Sequence, residues 1–305
     1  MSSPFHMFHV QVDRLRRLSP SFLRVTFTGD DLCHFADNGY DQRIKLVLPL
    51  PGCGLSYLPS GADWYQQWRQ LDDSRRNPIR TYTARQVRAH AGELDVDVVM
   101  HPDGGPVARW AERVQPGDEA AILGPDARYD GVHGGLEFRL PTGGTTVLLA
   151  GDETAVPAIC SVLERLPAGV TGEALMEVPF DDDALPVETS CSVRVGWLAR
   201  NGGERGGQLV PAVQAAAQRL LSSSGGRPDG LRDAAPDADM DVDVDAGELW
   251  EVPQEDAADP LYAWLAGEAG VIKTLRRHLV GERGMDRRAV AFMGYWREGR
   301  AEGGG

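Results

Sequence analysis

The patterning of this 305-residue chain changes near Pro141, and that change restricts the fold more than any single motif. Before it, short alternations of apolar and polar residues recur between Gly, Pro and Asp: His9 to Leu15, Leu23 to Thr28, Ile44 to Leu48 and Leu94 to Met100. A period of two marks strands with one buried face, and several of them between turn residues indicate a small antiparallel barrel or sandwich. Within this half, Trp64, Trp68 and Leu71 recur at helical spacing, which predicts a short surface helix over Ala62 to Leu71. After Pro141 the signal differs. Thr145 to Ala150 is a continuous apolar run, as expected of a strand covered on both faces. A helical stripe follows at Val156, Ile159, Val162, Leu163 and Leu166, with Thr154 as its expected N-cap and Pro157 in its first turn. Leu175 to Phe180, Ser192 to Leu198, Leu261 to Ala266 and Ala289 to Tyr295 read as further strands, while Gln208 to Leu221 and the stripe Val271, Leu275, Leu279 read as helices. Alternating strand and helix favours a parallel sheet with helices on both sides.

The expected division is therefore a β-barrel domain over 1–141 and an α/β domain over 142–305. The length agrees with about two domains. Ser222 to Gly247 fits neither: it is rich in Ser, Gly, Pro, Ala and Asp, and reads as a disordered acidic insertion. The tail Gly299 to Gly305 reads as frayed. The net charge of −14 argues against non-specific nucleic-acid binding, which needs Lys and Arg to displace counterions. Part of that charge is local, since Asp237 to Asp245 hold five acids and no base. Cys33, Cys53, Cys160 and Cys191 are scattered, as reduced thiols of a cytoplasmic protein are, and the seven His are dispersed, so no protein-bound metal is expected. No apolar run approaches the ~20 residues of a membrane span, and Met1 to Val10 lacks the pattern of a secretory signal.

Four stretches carry candidate chemistry. In Arg80-Thr81-Tyr82-Thr83, Arg80 and Tyr82 share a face if the segment is extended. Arg80 suits a pyrophosphate through a bidentate fork, Tyr82 suits a planar ring, and Thr83 suits a ring edge or polyol chain. The same four residues also describe an amphipathic strand with an exposed arginine. In the stretch from His101 to Trp110, Gly104 and Gly105 precede a helix start at Pro106, where close backbone approach and free N–H groups bind phosphate; a plain turn closed by Trp110 is the alternative. Gly151-Asp152-Glu153-Thr154-Ala155 and Ala266-Gly267-Glu268-Ala269-Gly270 are two strand-to-helix turns that would share one sheet edge and form a dinucleotide crevice. Neither has the three glycines of the usual fingerprint. Trp296, between Tyr295 and Arg297, would cover a flavin face until nicotinamide displaces it, or would simply pack under the C-terminus.

In order along the chain, these stretches resemble the siderophore-interacting protein family, flavin-dependent ferric-siderophore reductases of the ferredoxin reductase-like superfamily. The resemblance rests on Phe22 to Gly29, Ile44-Lys45-Leu46, Arg80 to Thr83, Gly105 to Ala111, Gly151 to Ala158, Ala266 to Ala269 and Gly294 to Arg297. It implies an N-terminal antiparallel FAD-binding β-barrel and a C-terminal Rossmann-like α/β domain that binds NAD(P)H. It implies that Arg80, Tyr82, Thr83, His101, Gly105, Val107 and Ala108 hold FAD. Gly151, Asp152, Glu153, Thr154, Ala155, Gly267, Glu268, Ala269 and Trp296 would serve the nicotinamide side. Lys45, Arg109, Arg128 and Arg297 are the candidates for attracting an anionic ferric siderophore, and reduced ferredoxin is an alternative donor. The chain departs from the family pattern where Pro102 follows His101 in place of Gly, and where Asp126 follows Pro125 in place of Arg. A general flavin or quinone reductase and a non-enzymatic siderophore or flavin carrier are the competing readings. The acids Asp181, Asp182 and Asp183 would favour NADH, whereas Arg200 would favour NADPH.

Overall fold

The computed structural model describes residues 3–101, 105–140, 146–223, 249–253 and 261–299. The expected acidic insertion lies outside the described residues except for Ser222 and Ser223, which end a helix instead. Pro102, Gly104 and the tail beyond Gly299 also lie outside them. The chain divides into two compact units between Leu136 and Glu137.

Seven described strands form the first unit: β1 (Phe5–Arg17), β2 (Phe22–Thr28), β3 (Arg43–Val47), β4 (Ile79–Thr83), β5 (Gln86–Arg88), β6 (Glu93–Val99) and β7 (Glu119–Pro125). They make one antiparallel sheet in the order β4-β3-β7-β1-β2-β6-β5. The alternating apolar residues meet on its inner face, where Phe8, Val25, Phe27, Leu46, Val96 and Ile122 are fully buried. The sheet curls so that its ends approach: after β4, the Arg85 N–H donates to the Asp95 carbonyl of β6 at 2.9 Å. Two short helices decorate it, α1 (Trp64–Gln70) and α2 (Pro106–Ala111). On α1 only Trp68 is buried, and its indole N–H bonds the Asn77 carbonyl at 2.9 Å.

The outer face of β6 departs from a simple pattern of apolar inside and polar outside. Asp95 and Asp97 alternate with Leu94, Val96 and Val98, yet they are only 4 % and 2 % exposed. The β2–β6 register sets Arg24 opposite Asp97 and Thr26 opposite Asp95. Arg24 grips Asp97 with two bonds of 2.7 and 2.8 Å, and Arg88 from β5 grips Asp95 with bonds of 2.7 and 2.9 Å. The acids are therefore covered by the arginines of neighbouring strands.

In the second unit β8 (Thr146–Gly151), β9 (Thr171–Val178), β10 (Ser192–Ala199), β12 (Leu261–Glu268) and β13 (Val290–Trp296) are parallel, with β11 (Trp250–Glu251) antiparallel at one edge. The order is β10-β9-β8-β12-β13-β11. Helices α3 (Val156–Arg165), α4 (Leu209–Ser223) and α5 (Ala269–Arg276) complete it. Leu148, Ala150, Leu265, Val213, Ile272 and Leu275 join one core between the sheet and helices α4 and α5. Leu279 continues that stripe in a wider π turn over Arg277–Glu282 rather than in α5 itself. Successive strands run outward on both sides of the adjacent pair β8 and β12, so the order reverses between them. Open α/β sheets form their ligand crevice at the carboxyl ends of such a pair.

Candidate functional site

In the first unit β4 is an edge strand, and its register with β3 sorts the candidate residues. Arg80 pairs with Leu46 and Tyr82 with Ile44, so both point to the face that carries the core; the half-buried Tyr82 packs against that core. Lys45 pairs with the exposed Thr81 and donates to its hydroxyl at 2.8 Å. Lys45 thus lies on the opposite sheet face from Arg80 and Tyr82. Thr83 is buried at the strand end. Helix α2 packs on β6, as β4 does. It begins as the sequence predicts, with Gly105 as N-cap and Pro106 in the first turn. Among the described residues a Cβ on Gly105 would meet nothing within 4 Å, so no described side chain fills the space before the helix. The first N–H groups of a helix lack intrahelical acceptors, which here concerns Val107 and Ala108. Trp110 stacks parallel to Phe27 at 6.3 Å. His101 lies two residues beyond the end of β6. A guanidinium, a half-buried aromatic ring, a buried hydroxyl and a helix start fit the phosphates and flat ring system of FAD.

The anionic-substrate candidates of the first unit lie on or near three different elements. Lys45 is on β3, Arg109 is exposed on α2, and Arg128 follows β7. Arg128 grips Asp126 with two bonds of 2.8 Å, which hold the Asp126 carboxyl below the usual carboxylate range. The acid at 126 therefore pairs with one of the arginines expected to attract the substrate. In the second unit Arg297 follows β13 directly.

The second unit concentrates its chemistry at the carboxyl ends of β8, β12 and β13. Gly151 has no room for a side chain: a Cβ would lie 2.4 Å from both the Ala266 carbonyl oxygen and the Ala155 Cβ. This lets β8 and β12 run edge to edge up to Asp152. Asp152 is buried and accepts four hydrogen bonds. Oδ1 receives the Thr154 N–H at 2.9 Å and the Thr154 hydroxyl at 2.5 Å; Oδ2 receives the Glu268 N–H at 2.8 Å and the Trp296 Nε1–H at 2.9 Å. Gly267, at φ +148°, passes so close that a Cβ would sit 2.7 Å from Oδ2. Burial and the adjacent Glu153 push the Asp152 carboxyl up to about 6.

Thr154 is not the cap of α3, as the sequence suggests. The N-cap is Ala155 without a side-chain bond, because the Thr154 hydroxyl is spent on Asp152. Glu153 turns the other way. It is fully buried and grips Arg200 at 2.7 and 3.0 Å and Arg205 at 2.5 Å. Burial works against its ionisation, but the Arg200 and Arg205 guanidinium groups outweigh it and hold Glu153 below its ordinary range. Arg205 also lies 4.6 Å over the Trp296 ring. Glu177, at the end of β9, receives the N–H groups of Gly206, Gln208 and Leu209 at 2.8 to 3.0 Å and so fills the start of α4. Glu268 caps α5 in the same way by accepting from Val271 N–H at 2.9 Å. Of the predicted nicotinamide-side residues, the structure unites Gly151, Asp152, Thr154, Gly267, Glu268 and Trp296 in one cluster, with Ala155 and Ala269 starting the adjoining helices. Sequence reasoning missed Arg205 and Glu177. The first sits in the Gly-rich turn Asn201 to Gly207, which carries no signal of its partners, and the second is one acid within an apolar strand.

Residues 11–129 match the siderophore-interacting FAD-binding domain, and residues 145–299 match the siderophore-interacting protein domain. An uncharacterized protein of Mycobacterium tuberculosis (strain ATCC 25618 / H37Rv) is 30 % identical over 98 % of this chain and 92 % of its own length. The ferric vibriobactin reductase ViuB of Vibrio cholerae is 28 % identical over 95 % of this chain and 89 % of its own. Among solved structures, a siderophore utilization protein from T. fusca superposes with a TM-score of 0.68 at 26 % identity, covering 99 % of this chain and 96 % of that one. A ferredoxin reductase of carbazole 1,9a-dioxygenase, 14 % identical, shares the fold with a TM-score of 0.60 over 97 % of this chain and 71 % of its own. The architecture is therefore ferredoxin reductase-like, and the chain belongs to the siderophore-interacting protein family.

Proposed function

We propose that this protein is an FAD-dependent ferric-siderophore reductase that takes electrons from NADH or NADPH and releases Fe(II) in the cytoplasm. The observation that carries the reading is the presence, on one chain, of a cation-and-aromatic edge strand beside a helix start in the first unit and a switch-point crevice in the second. Similarity to a ferric vibriobactin reductase over nearly the whole chain supports the same acceptor class. When bound, FAD supplies the conversion between two-electron and one-electron transfer. In this reading Arg80 and the first turn of α2 hold its phosphates, Tyr82 packs on its ring system, and Thr83 bonds its polar edge. The turns at Gly151 to Ala155 and Gly267 to Ala269 receive the nicotinamide donor. Hard hydroxamate or catecholate oxygens bind Fe(III) far more tightly than Fe(II), so electron delivery alone releases the metal, and no side-chain acid or base is required.

The test is anaerobic assay of FAD-loaded protein with NADH or NADPH and a panel of ferric chelates, trapping Fe(II) with a chromogenic ligand. Trapped Fe(II) that scales with protein is expected; none with any donor and chelate overturns the reading. One observation favours a general NAD(P)H:flavin or quinone reductase instead: Arg128 is neutralised by Asp126 and Lys45 faces away from Arg80 and Tyr82. Turnover of free flavin or quinone without turnover of ferric chelates would select that alternative.

A further inference from the structure

We propose that Asp152 acts as a positioning residue: it fixes the Trp296 indole and the Glu268 turn where the nicotinamide donor is received, and itself touches no donor. The inference rests on the reading above. An ionised carboxylate offers about four lone-pair directions, and all four here meet protein donors. No acceptor capacity remains for a ribose or amide of a nucleotide. The four bonds instead tie three neighbouring strand ends together, with Thr154 from the turn after β8, Glu268 from the end of β12 and Trp296 from the end of β13. The close passage of Gly267 under Oδ2 leaves the carboxylate no freedom to swing away without moving the β12 turn.

Trp296 is held twice. Its N–H goes to Asp152, and Arg205, itself anchored by Glu153, covers one ring face. The ring remains partly exposed, so it is fixed in orientation while still accessible. An indole N–H can only donate, and so can the backbone N–H of Glu268 and Thr154. Asparagine at 152 would therefore turn an NH2 toward a donor on one side or the other, although its shape is unchanged.

Flavin-loaded full-length protein labelled with 15N at its seven tryptophans gives a readout independent of turnover. The indole signal missing from Trp296→Phe belongs to Trp296. In Asp152→Asn, the exchange protection of that indole proton should fall about tenfold or more, the loss expected for one hydrogen bond to a charged acceptor. The KM for the nicotinamide donor should rise about tenfold in Asp152→Asn and rise no further when Trp296→Phe is added, as for two residues acting as one unit. An unchanged Trp296 indole signal in Asp152→Asn overturns the proposal, as do fully multiplicative effects on KM. Should Asp152→Asn not fold, Trp296→Phe tests the same bond from its other end, and an unchanged KM there overturns the proposal equally. Failure of the unaltered protein to oxidise either nicotinamide would sink the functional reading, and with it the donor-receiving role, while the indole signal still reports whether Asp152 fixes Trp296.

Discussion

In the antiparallel unit, Asp95 and Asp97 lie beneath arginines of adjacent strands, whereas in the parallel unit Asp152 meets only neutral donors. Solvent exposure does not distinguish them, since Asp95 and Asp152 are both 4 % exposed, although Asp152 lies deeper in the protein. Pairing does. Burial alone would raise Asp95, but the bonds from Arg88 and Thr26 and the nearby Arg24 outweigh it, and its carboxyl falls below the ordinary range. Asp152 accepts four bonds, yet none brings a positive charge, and Glu153 beside it adds a negative one. The charged ladder of the first unit thus locks strand to strand. The uncompensated acid of the second unit is a cost that the fold carries at its sheet edge, where ligands of such folds bind.

The sharpest way to break this contrast is to remove an acid from the ladder. Asp97→Ala would leave Arg24 and Arg85 facing each other without their shared carboxylate. Breaking a buried pair from one side costs about 3–5 kcal/mol, so the urea midpoint of the first unit should fall accordingly. A loss below about 1 kcal/mol would mean that the ladder is solvated in practice and that the comparison fails.

The second test uses pH and predicts the opposite sign for Asp152. Its folded value of about 6 lies above the ordinary 3.8, so the folded protein holds this proton more tightly than the unfolded chain. The resulting stability is fully present below about pH 4 and is lost as pH rises through about 6. Relative to Asp152→Asn, the unaltered protein should gain about 2 kcal/mol in unfolding free energy between pH 7 and pH 4, read from denaturant titrations at each pH. A difference that does not vary with pH would place the charge elsewhere.

How much of this was legible in the sequence depends on range. Most strands and helices followed from local periodicity, although β5, β7 and β11 did not, and the glycines at 105, 151 and 267 marked places where a strand ends or a helix begins. The acids that alternate through Leu94 to Met100 carry no local sign that Arg24, some seventy residues earlier, grips Asp97; the β2–β6 register reveals it. Thr154 had every local qualification for an N-cap and lost the role to a carboxylate two residues away. Arg200 read as an available cation, but Glu153 from the turn after β8 and Glu177 from β9 claim it. Charge partners assembled by strand order are invisible to a linear scan, and the candidate site is built mostly from such partners.

A third test separates the two faces of β4. Arg80→Ala should weaken FAD binding about 10- to 100-fold, the range for one or two lost bonds to a charged phosphate, measured as flavin retained after dialysis. Lys45→Ala should leave flavin content unchanged, because Lys45 projects from the other face. Equal losses in both variants would show that the flavin contact does not follow the register.

The smallest expected effect concerns the donor. A 2′-phosphate needs a cation with arms to spare, and Arg200 has its side chain only 8 % exposed while bound to Glu153 and Glu177. The ends of β9 and β10 instead present the exposed Asp181 and Asp182, with Asn201 donating to Asp181 at 2.9 Å. Acids in that position favour a free ribose hydroxyl. Two exposed acids together repel an added phosphate by roughly 1 kcal/mol in water, so kcat/KM should favour NADH over NADPH by about fivefold. Because those acids are solvent-exposed, the preference should shrink in high salt, and Asp181→Asn with Asp182→Asn should narrow it about threefold at low salt. A salt-independent preference would point to the buried set around Glu153 and Glu177 as the discriminator, and a preference for NADPH would show that Arg200 leaves its carboxylates when the donor binds.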